Sequence, residues 1–336
     1  MRTWLLAAAA ALGIGALAPV AHAADPVTIQ LKWVADAQCA GYYVAAAKGF
    51  YKDAGLDVTI KAGGPDIAPE QVIAAGGADV IVDWMPAALA AREKGVKLVN
   101  IAQVFQRSGL ELTCRKDSGI RTPKDFRGKT LGVWFAGNEY PFLAWMAKLG
   151  YKTTGGPDGV TVLKQGFNVD PLLQKQAACI STMTYNEYWQ LIEAGMKPSQ
   201  LIVFKYEDEG VATLEDGLYT TDAKLADPQM VARLARFVKA SMQGWKYALE
   251  HEAEAVKIVL AADTTGAQTA VHQKHMMGEV AKLVEAGKGS HGIGYLEPAA
   301  YERTVKVLLS SGSEPVITKQ PEGAWSHAIW DKMGGK

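Results

Sequence analysis

Short apolar runs alternate with stretches of helical periodicity through the first third of the chain. The predicted strands are residues 27–34, 56–62, 78–84 and 96–105, and the predicted helices between them are residues 41–54, 69–75 and 87–94. The run at 78–84, ADVIVDW, is almost continuously apolar, as is typical of a parallel strand that is buried on both faces. Strands that alternate with helices in this way predict an α/β protein.

A second set of strands and helices begins near residue 110. Its predicted strands are residues 110–115, 129–135, 160–165, 178–184 and 201–206, and its predicted helices are residues 122–126, 141–149, 170–176 and 187–194. After a short strand at 218–221 the pattern changes to long helices at residues 228–250, 253–261, 270–286 and 298–310. The two sets predict two lobes, one formed by residues 24–106 and 207–336 and the other by residues 107–206.

The N-terminal residues have the pattern of an export signal. Arg2 is followed by an apolar run at 4–18 and by AHA at 21–23, which match the charged, apolar and cleavage regions of a secretory signal peptide. A membrane anchor is the alternative, but the run is short for a helix that must span about 20 residues. We therefore predict cleavage after Ala23, export to the periplasm and a mature chain that begins at Ala24.

Charge and cysteine content narrow the class of partner and the covalent bonds to expect. The chain has 35 basic and 35 acidic residues, so its charge gives no reason to expect binding to nucleic acid or to an anionic membrane. The three cysteines are odd in number and far apart, so we do not expect a disulfide framework. Cys114 and Cys179 are expected to be small buried apolar residues, whereas Cys39 lies in a loop and could either pack or approach a ligand.

The sequence contains no strong catalytic or metal-binding motif. It has no G-x-S-x-G, H-E-x-x-H, Walker A or C-x-x-C pattern. His272 and His275 could share a metal ion on one face of a helix, but no acidic or cysteine partner marks such a site. We interpret this pair as part of a solvated helix face, and we predict a protein without metal, cofactor or catalytic residues.

Aromatic and polar side chains recur just beyond the ends of four predicted strands. They are Trp33, Asp36 and Gln38; Asp83 and Trp84; Asn138, Glu139 and Tyr140; and Tyr185, Asn186, Glu187 and Tyr188. In a doubly wound sheet such positions line the ligand crevice. Flat rings can stack on a planar heterocycle, and polar groups can bind its edge nitrogens and amino groups. Taken singly, the asparagines could be helix caps, the tryptophans core residues, and Glu187 a first-turn acid near the helix dipole.

The stretch at 49–58, GFYKDAGLDV, resembles the opening of the NMT1-type, thiamine-pyrimidine-synthase-like family of periplasmic binding proteins. The resemblance continues at residues 76–80 (GGADV), 128–132 (GKTLG) and 184–191 (TYNEYWQL). It implies a type II periplasmic-binding-protein fold, in which two α/β lobes are joined by two crossover segments and a ligand binds in the central cleft. It also implies that the permease of an ABC transporter is the partner. Members of the resembled family bind thiamine pyrimidine precursors, riboflavin or sulfonates.

One branch of the resembled family is enzymatic and makes the thiamine pyrimidine from pyridoxal phosphate and one of its own histidines. Its cofactor-bearing lysine and consumed histidine correspond here to Asp83 and Ala87. The region that matches its cysteine-rich iron-binding segment, residues 212–217, reads ATLEDG. This chain therefore lacks both the lysine amine that would bind pyridoxal phosphate and the cysteine thiolates that would bind iron. The resemblance thus favours a transport protein over a pyrimidine-synthesis enzyme. A sensor or chaperone-like protein would use the same fold, and the sequence does not separate it from a transport protein.

The sequence therefore predicts a monomeric, non-enzymatic solute-binding protein that captures a planar nitrogen heterocycle by hinge closure. A thiamine pyrimidine precursor such as a formylaminopyrimidine is the expected ligand, and riboflavin or another aromatic or sulfonate ligand is the alternative. A cleft rich in aromatic residues argues against a small sulfonate, which needs anion-binding groups. From the first lobe, the residues predicted to bind the ligand are Trp33, Tyr42 and Trp84 as stacking or wall groups. Asp83 is predicted to accept a hydrogen bond from a ring amino group, or else to be a structural carboxylate. From the second lobe, the predicted polar and aromatic contacts are Asn138, Glu139, Tyr140, Asn186, Glu187 and Tyr188.

Overall fold

The computed structural model describes residues 23–285, 291–310 and 315–334, so residues 1–22 of the predicted export signal lie outside the described residues. The described strands are β1 (Asp25–Gln30), β2 (Leu56–Lys61), β3 (Val80–Asp83), β4 (Leu98–Gln103), β5 (Leu110–Arg115), β6 (Thr130–Val133), β7 (Thr161–Lys164), β8 (Cys179–Met183), β9 (Leu201–Lys205) and β10 (Gly217–Thr221). The described α-helices are α1 (Ala40–Ala47), α2 (Phe50–Asp53), α3 (Pro69–Ala74), α4 (Met85–Glu93), α5 (Tyr140–Leu149), α6 (Asp170–Leu173), α7 (Glu187–Glu193), α8 (Asp222–Leu225), α9 (Pro228–Glu250), α10 (Glu252–Ala262), α11 (Ala270–Glu285), α12 (Pro298–Leu309) and α13 (Ala328–Lys332). Short 3-10 turns lie at Ala37–Cys39, Lys116–Ser118, Pro123–Phe126 and Pro198–Gln200.

The strands form two sheets of five strands with the same topology. The first has the order β2-β1-β3-β10-β4, and the second has the order β7-β6-β8-β5-β9. In each sheet four strands run in the same direction, and the fifth, which arrives from the other sheet, lies antiparallel to its two neighbours. We call the halves built on these sheets the first lobe and the second lobe. The α/β prediction is confirmed.

Two chain connections join the sheets. Residues 104–109 lead from β4 to β5, and residues 206–216 lead from β9 back to β10. Because β10 inserts between β3 and β4, the long helices that follow it start from the first lobe. The antiparallel strand of each sheet is thus the one that directly follows a connection, and its position fixes where the chain enters each lobe.

The predicted helix at 41–54 is wrong as a single element, because the chain forms α1 and α2 with a break between them. Gly49 has a φ of 80°, in the left-handed region that side chains disfavour and glycine adopts freely. The break turns α2 towards β2. The predicted strands at 27–34 and 129–135 also extend too far, since β1 ends at Gln30 and β6 ends at Val133. Helix α13 was not predicted.

Two glycines allow α1 and α9 to approach each other closely. A Cβ atom on Gly244 would lie 2.1 Å from the carbonyl oxygen of Gly41, and a Cβ atom on Gly41 would lie 2.2 Å from the ring of Trp245. No side chain can occupy such a space, so glycine is required on both helices. The ring of Trp245 then packs edge to face against Tyr42, with centroids 5.7 Å apart, in the core beneath the first sheet.

The expectation that Cys114 and Cys179 are unbonded apolar residues is wrong. The two residues are directly opposite each other on the antiparallel strands β5 and β8, with Cα atoms 3.9 Å apart, and they form a disulfide bond. Strand register brings them together across a sequence separation of 65 residues. Cys39 is a buried free thiol. Among the described residues, no helix is both long enough and apolar enough to cross a membrane.

Candidate ligand-binding site

A cavity lies between the lobes at the carboxyl ends of their parallel strands, where ligands of doubly wound sheets bind. It contains about 280 Å³ of free space, part of which is open to solvent. The lining residues are Lys32, Trp33, Gln38 and Trp84 from the first lobe and Trp134, Asn138, Met183, Tyr185, Asn186 and Glu187 from the second lobe. Both lobes therefore contribute side chains to one small enclosure.

Three tryptophans form the aromatic walls of this cavity. Trp33 and Trp134 meet edge to face across the cleft, with ring centroids 5.9 Å apart and an interplanar angle of 64°. Trp84 directly precedes α4, and the Nζ atom of Lys32 lies 5.8 Å from its ring centroid. All three rings are buried. The contact between Trp33 and Trp134 joins the two lobes, so the cleft is closed in this structure.

A buried ion pair supports the first-lobe wall. Lys32 Nζ lies 2.7 Å from Asp83 Oδ1, and both side chains are almost fully buried. The same oxygen accepts a hydrogen bond of 2.8 Å from the backbone N–H of Trp84. Burial raises the pKa of Asp83, and the nearby Lys32 opposes that rise. Asp83 therefore holds a lining cation and a lining ring in position from behind the wall.

Two more buried acids lie next to Gln38. The Nε2 atom of Gln38 donates to both carboxylate oxygens of Asp216 at 3.0 Å, and burial raises the pKa of Asp216 to about 7. Asp36 accepts a hydrogen bond of 3.0 Å from the backbone N–H of Gln38, and burial raises the pKa of Asp36 well above its usual value. These contacts fix both the backbone and the side chain of Gln38 at the edge of the cavity.

Glu187 is the acidic group on the second-lobe wall. Its Oε2 atom accepts from the backbone N–H of Met183 at 3.0 Å, and its Oε1 atom accepts from Asn186 Nδ2 at 3.0 Å. Burial raises the pKa of Glu187 to about 8, so the carboxyl group is mostly protonated at neutral pH in the closed cavity. A protonated carboxyl group can both donate and accept, which suits a ring edge that carries an amino group beside a ring nitrogen.

One buried polar atom on a lining residue, the phenol oxygen of Tyr185, has no hydrogen-bond partner among the described residues. The indole nitrogen of Trp84, by contrast, interacts with the buried carboxylate of Asp216. A buried polar group without a partner costs about 1–3 kcal/mol, so such groups are rarely left unpaired. The position of the Tyr185 hydroxyl group marks where a polar group of a bound ligand could complete the network.

Half of the predicted ligand-binding residues line the cavity and half do not. Those that line it are Trp33, Trp84, Asn138, Asn186 and Glu187. Those that do not are Tyr42, Asp83, Glu139, Tyr140 and Tyr188. Tyr42 packs on Trp245 in the core, and Asp83 pairs with Lys32. Glu139 accepts a hydrogen bond from the backbone of Gly137, Tyr140 is half-buried at the start of α5, and Tyr188 packs beside Trp189. Contact with a ligand remains a prediction for all ten.

Five lining residues were not chosen as ligand contacts from the sequence. Lys32, Trp134 and Met183 were assigned to predicted strands, and the strands that contain Lys32 and Trp134 end earlier in the structure. Gln38 and Tyr185 were noted beyond strand ends but not chosen. A tryptophan shortly after each of two equivalent strands would have been the useful pattern, because Trp33 lies three residues beyond β1 and Trp134 lies one residue beyond β6.

The sequence placed His272 and His275 on a solvated helix face, which is wrong for His272, whereas the side chain of His275 is 40% exposed. The Nδ1 atoms of the two residues lie 3.2 and 3.3 Å from carboxylate oxygens of Glu193 in α7. His272 is buried, and its Nε2 atom lies 2.9 Å from Asn186 Oδ1. Among the described residues, no group of three or more histidine, cysteine, aspartate or glutamate side chains is arranged to hold a metal ion.

The two lobes, their two connections and the enclosed cleft define a type II periplasmic-binding-protein fold. The same fold is found in the periplasmic aliphatic sulphonate binding protein SsuA from Escherichia coli, with a TM-score of 0.61 and 10% sequence identity over 85% of this chain and 85% of that one. At this identity the likeness concerns the fold alone. The predicted fold is confirmed.

The NMT1/THI5-like family model matches residues 36–255, and the chain belongs to this family. The matched region includes every residue that lines the cavity except Lys32 and Trp33. The family predicted from the sequence is therefore confirmed.

Two curated relatives cover most of the chain. The formylaminopyrimidine-binding protein of Halalkalibacterium halodurans is 24% identical over 242 residues, which is 71% of this chain and 71% of that protein. The riboflavin-binding protein RibY of Chloroflexus aurantiacus is 24% identical over 305 residues, which is 88% of this chain and 84% of that protein. Both relatives are named for binding a nitrogen heterocycle.

Proposed function

We propose that this protein is the solute-binding component of an ABC importer and that it captures a planar nitrogen heterocycle, with a thiamine pyrimidine precursor of the formylaminopyrimidine type as the preferred ligand. The observation that carries the proposal is the closed cavity between the lobes. Its walls are three tryptophan rings, and its polar groups are Lys32, Gln38, Asn138, Asn186 and Glu187. Flat apolar walls with a few directed polar groups are what a ring with a polar edge requires.

The narrow closed cleft favours a ligand with one ring. The ring centroids of Trp33 and Trp134 are only 5.9 Å apart across it, and the free space of about 280 Å³ among the lining residues includes open solvent. A substituted pyrimidine is smaller than the three-ring flavin with its ribityl chain, which would need a wider separation of Trp33 and Trp134. Riboflavin is the second candidate, because a riboflavin-binding relative covers 88% of the chain.

The proposed mechanism is hinge closure about the two connections, residues 104–109 and 206–216. In this proposal a lobe of residues 107–206 rotates against a lobe of residues 24–106 and 207–336. A ligand that contacts Trp33 on one side and Glu187 on the other has more contacts in the closed form, so it shifts the population towards that form. A permease that recognises the closed form would then receive only loaded protein.

Export fits this role. The residues at 1–23 have the pattern of a secretory signal, and the SsuA protein of the same fold is described as periplasmic. We therefore propose a periplasmic protein that acts as a monomer beside a membrane permease. The proposal includes no catalytic residue, because Lys32, the lysine that lines the cavity, is held in an ion pair with Asp83 at 2.7 Å.

A thermal-shift and calorimetry screen tests the proposed ligand class. Formylaminopyrimidine, riboflavin and an aliphatic sulfonate would be compared, and a ligand at about 100 times its Kd should stabilise the protein by about 2.7 kcal/mol. We expect the formylaminopyrimidine to give the largest shift, and Trp33→Ala and Glu187→Ala to weaken its binding at least tenfold. Tyr42→Phe is the matched control and should bind as the wild type does, since Tyr42 lies in the core.

Three outcomes would contradict the proposal. Stabilisation by aliphatic anions alone would exclude the heterocycle. Unchanged affinity in both Trp33→Ala and Glu187→Ala would exclude this cavity as the site. An imine absorbance on incubation with pyridoxal phosphate that disappears in Lys32→Met would indicate an enzyme of pyrimidine synthesis instead.

A further inference from the structure

Helix α11 contacts both sides of the cavity through two consecutive residues. On the first-lobe side, Gln273 is fully buried, and its Oε1 atom accepts a hydrogen bond of 2.7 Å from the backbone N–H of Ala37. Ala37 lies between Asp36 and Gln38 and begins the turn that carries the Gln38 side chain to the cavity. Gln273 therefore fixes the position of the first-lobe turn relative to α11.

His272, the preceding residue, makes the corresponding contact with the second lobe. Its Nε2 atom lies 2.9 Å from Asn186 Oδ1, and its Nδ1 atom lies 3.2 Å from the carboxylate of Glu193. Asn186 lines the cavity, and both Asn186 and Glu193 belong to the α7 region. His272 is only 5% exposed, so this contact is formed inside the closed interface between α11 and α7.

Asn186 connects His272 to the cavity. The Oδ1 atom of Asn186 also accepts from Gln190 Nε2 at 3.0 Å, and its Nδ2 atom donates to Glu187 Oε1 at 3.0 Å. With an amide donor on one side and a carboxyl group on the other, the amide of Asn186 has one satisfactory orientation. His272 therefore acts on Asn186, and Asn186 orients Glu187.

The other end of α11 lies against the first connection between the lobes. The backbone N–H of Gln106 donates to the carbonyl oxygen of Leu283 at 3.3 Å. A Cβ atom on Gly109 would be 2.9 Å from a methyl group of the Leu283 side chain, so the helix packs tightly against the connection. One rigid helix thus extends from the mouth of the cleft to the segment about which the lobes rotate.

We infer that His272 is a positioning residue for ligand capture: when the lobes close, it docks on Asn186 and sets Asn186 and Glu187 against the ligand. The inference rests on the proposed function for the identity of the ligand. Before closure the imidazole and Asn186 belong to separate lobes, so their bond forms as part of the closing step. Residue 272 then influences affinity without touching the ligand.

Calorimetry with formylaminopyrimidine and riboflavin as probes tests this inference. His272→Ala should weaken the binding of the preferred probe about tenfold, which corresponds to about 1.4 kcal/mol. His272→Gln, which restores an N–H donor, should recover part of the loss. Lys274→Ala, an exposed change on the same helix, is the matched control and should bind as the wild type does. In a double-mutant cycle, the effects of His272→Ala and Asn186→Ala should not add.

A second measurement separates positioning from a general effect on folding. The unfolding midpoint of ligand-free His272→Ala should stay close to that of the wild type. Amide hydrogen exchange in residues 186–193 should become faster, because the contact between His272 and Asn186 protects these residues in the closed fraction of the protein. If the wild type binds a probe and His272→Ala binds it equally well, the inference is wrong. If no probe binds the wild type, the proposed function fails, and the exchange result alone decides: an unchanged rate in 186–193 would overturn the role of His272.

Discussion

Glu187 is a cavity carboxyl group whose protonation couples the site to pH. Its side chain is 1% exposed, and burial raises its pKa from the usual value of 4.5 to about 8. Between these two values the folded protein binds more protons than the unfolded chain. A carboxyl group whose pKa is higher in the folded protein makes its full contribution to the free energy of unfolding below the pKa of the unfolded chain. That contribution is lost as the pH rises through the pKa of the folded protein.

Glu187→Gln should therefore flatten the pH dependence of stability. A single proton changes the slope by about 1.4 kcal/mol per pH unit, so the ligand-free variant should lose about 1 kcal/mol less per pH unit than the wild type between about pH 5 and pH 8. Urea denaturation at a series of pH values measures this slope. Equal slopes in the two proteins would show that Glu187 ionises normally. The stability of Glu187→Gln should still fall with rising pH, because burial also raises the pKa of Asp216 to about 7 and that of Glu215 to about 8.

Two of the residues that the sequence identified in the site, Trp84 and Glu187, lie where a helix follows closely on a strand. Their positions were predictable because they depend on where a well-marked helix begins. Lys32 and Trp134 were missed because β1 ends four residues before its predicted end and β6 ends two residues before its predicted end. An apolar run does not show which of its residues makes the last hydrogen bond to the neighbouring strand. Tyr42 was misplaced because its helical face turns towards α9, and that helix lies far away in sequence.

The strand pair β5 and β8 shows what the register of a sheet adds to the sequence. Cys114 and Cys179 have no spacing that indicates a bond, yet the antiparallel register places them opposite each other. The two residues are 65 positions apart, so the bond closes a long loop that contains β6 and β7. In the loop-entropy model such a closure stabilises a protein by constraining its unfolded chain, typically by about 2–4 kcal/mol.

Replacement of Cys114 and Cys179 by alanine should lower the free energy of unfolding by about 2–4 kcal/mol, as measured by urea denaturation of protein exported to the periplasm. A thiol titration of the denatured protein is the companion measurement. One thiol, that of Cys39, should react before reduction, and all three cysteines should react afterwards. Reaction of three thiols without any reductant would contradict the bond.

The chain as a whole forms the same sheet topology in each of two lobes, and the division into two α/β lobes is the part of this arrangement that the sequence predicted best. Alternating strands and helices in two sets were sufficient to predict two α/β lobes. The order of strands within each sheet did not follow from the pattern, because β10 pairs with β3 and β4 across more than a hundred residues of sequence. The closed state of the cleft likewise depends on contacts such as that between Trp33 and Trp134, which no local pattern encodes.

Glu215 ties the two connections together at the point where the lobes meet. It lies in the second connection, and its Oε1 atom accepts a hydrogen bond of 2.5 Å from the hydroxyl group of Ser108 in the first. Its Oε2 atom accepts from the backbone N–H of Gly109 at 2.9 Å. The side chain is fully buried, and burial raises its pKa to about 8, so it is mostly protonated at neutral pH.

Glu215→Ala should therefore lower the free energy of unfolding by about 2–4 kcal/mol at neutral pH, because it leaves the buried donors of Ser108 and Gly109 without an acceptor. Glu215→Gln keeps an oxygen acceptor and the neutral charge, so it should cost about 1 kcal/mol or less. Asp208→Ala, an exposed change in the same connection, is the control. Urea denaturation at neutral pH ranks the three variants. If Glu215→Ala proves as stable as Asp208→Ala, the two connections are held together by their backbone and apolar contacts, and the buried carboxyl group is not what joins them.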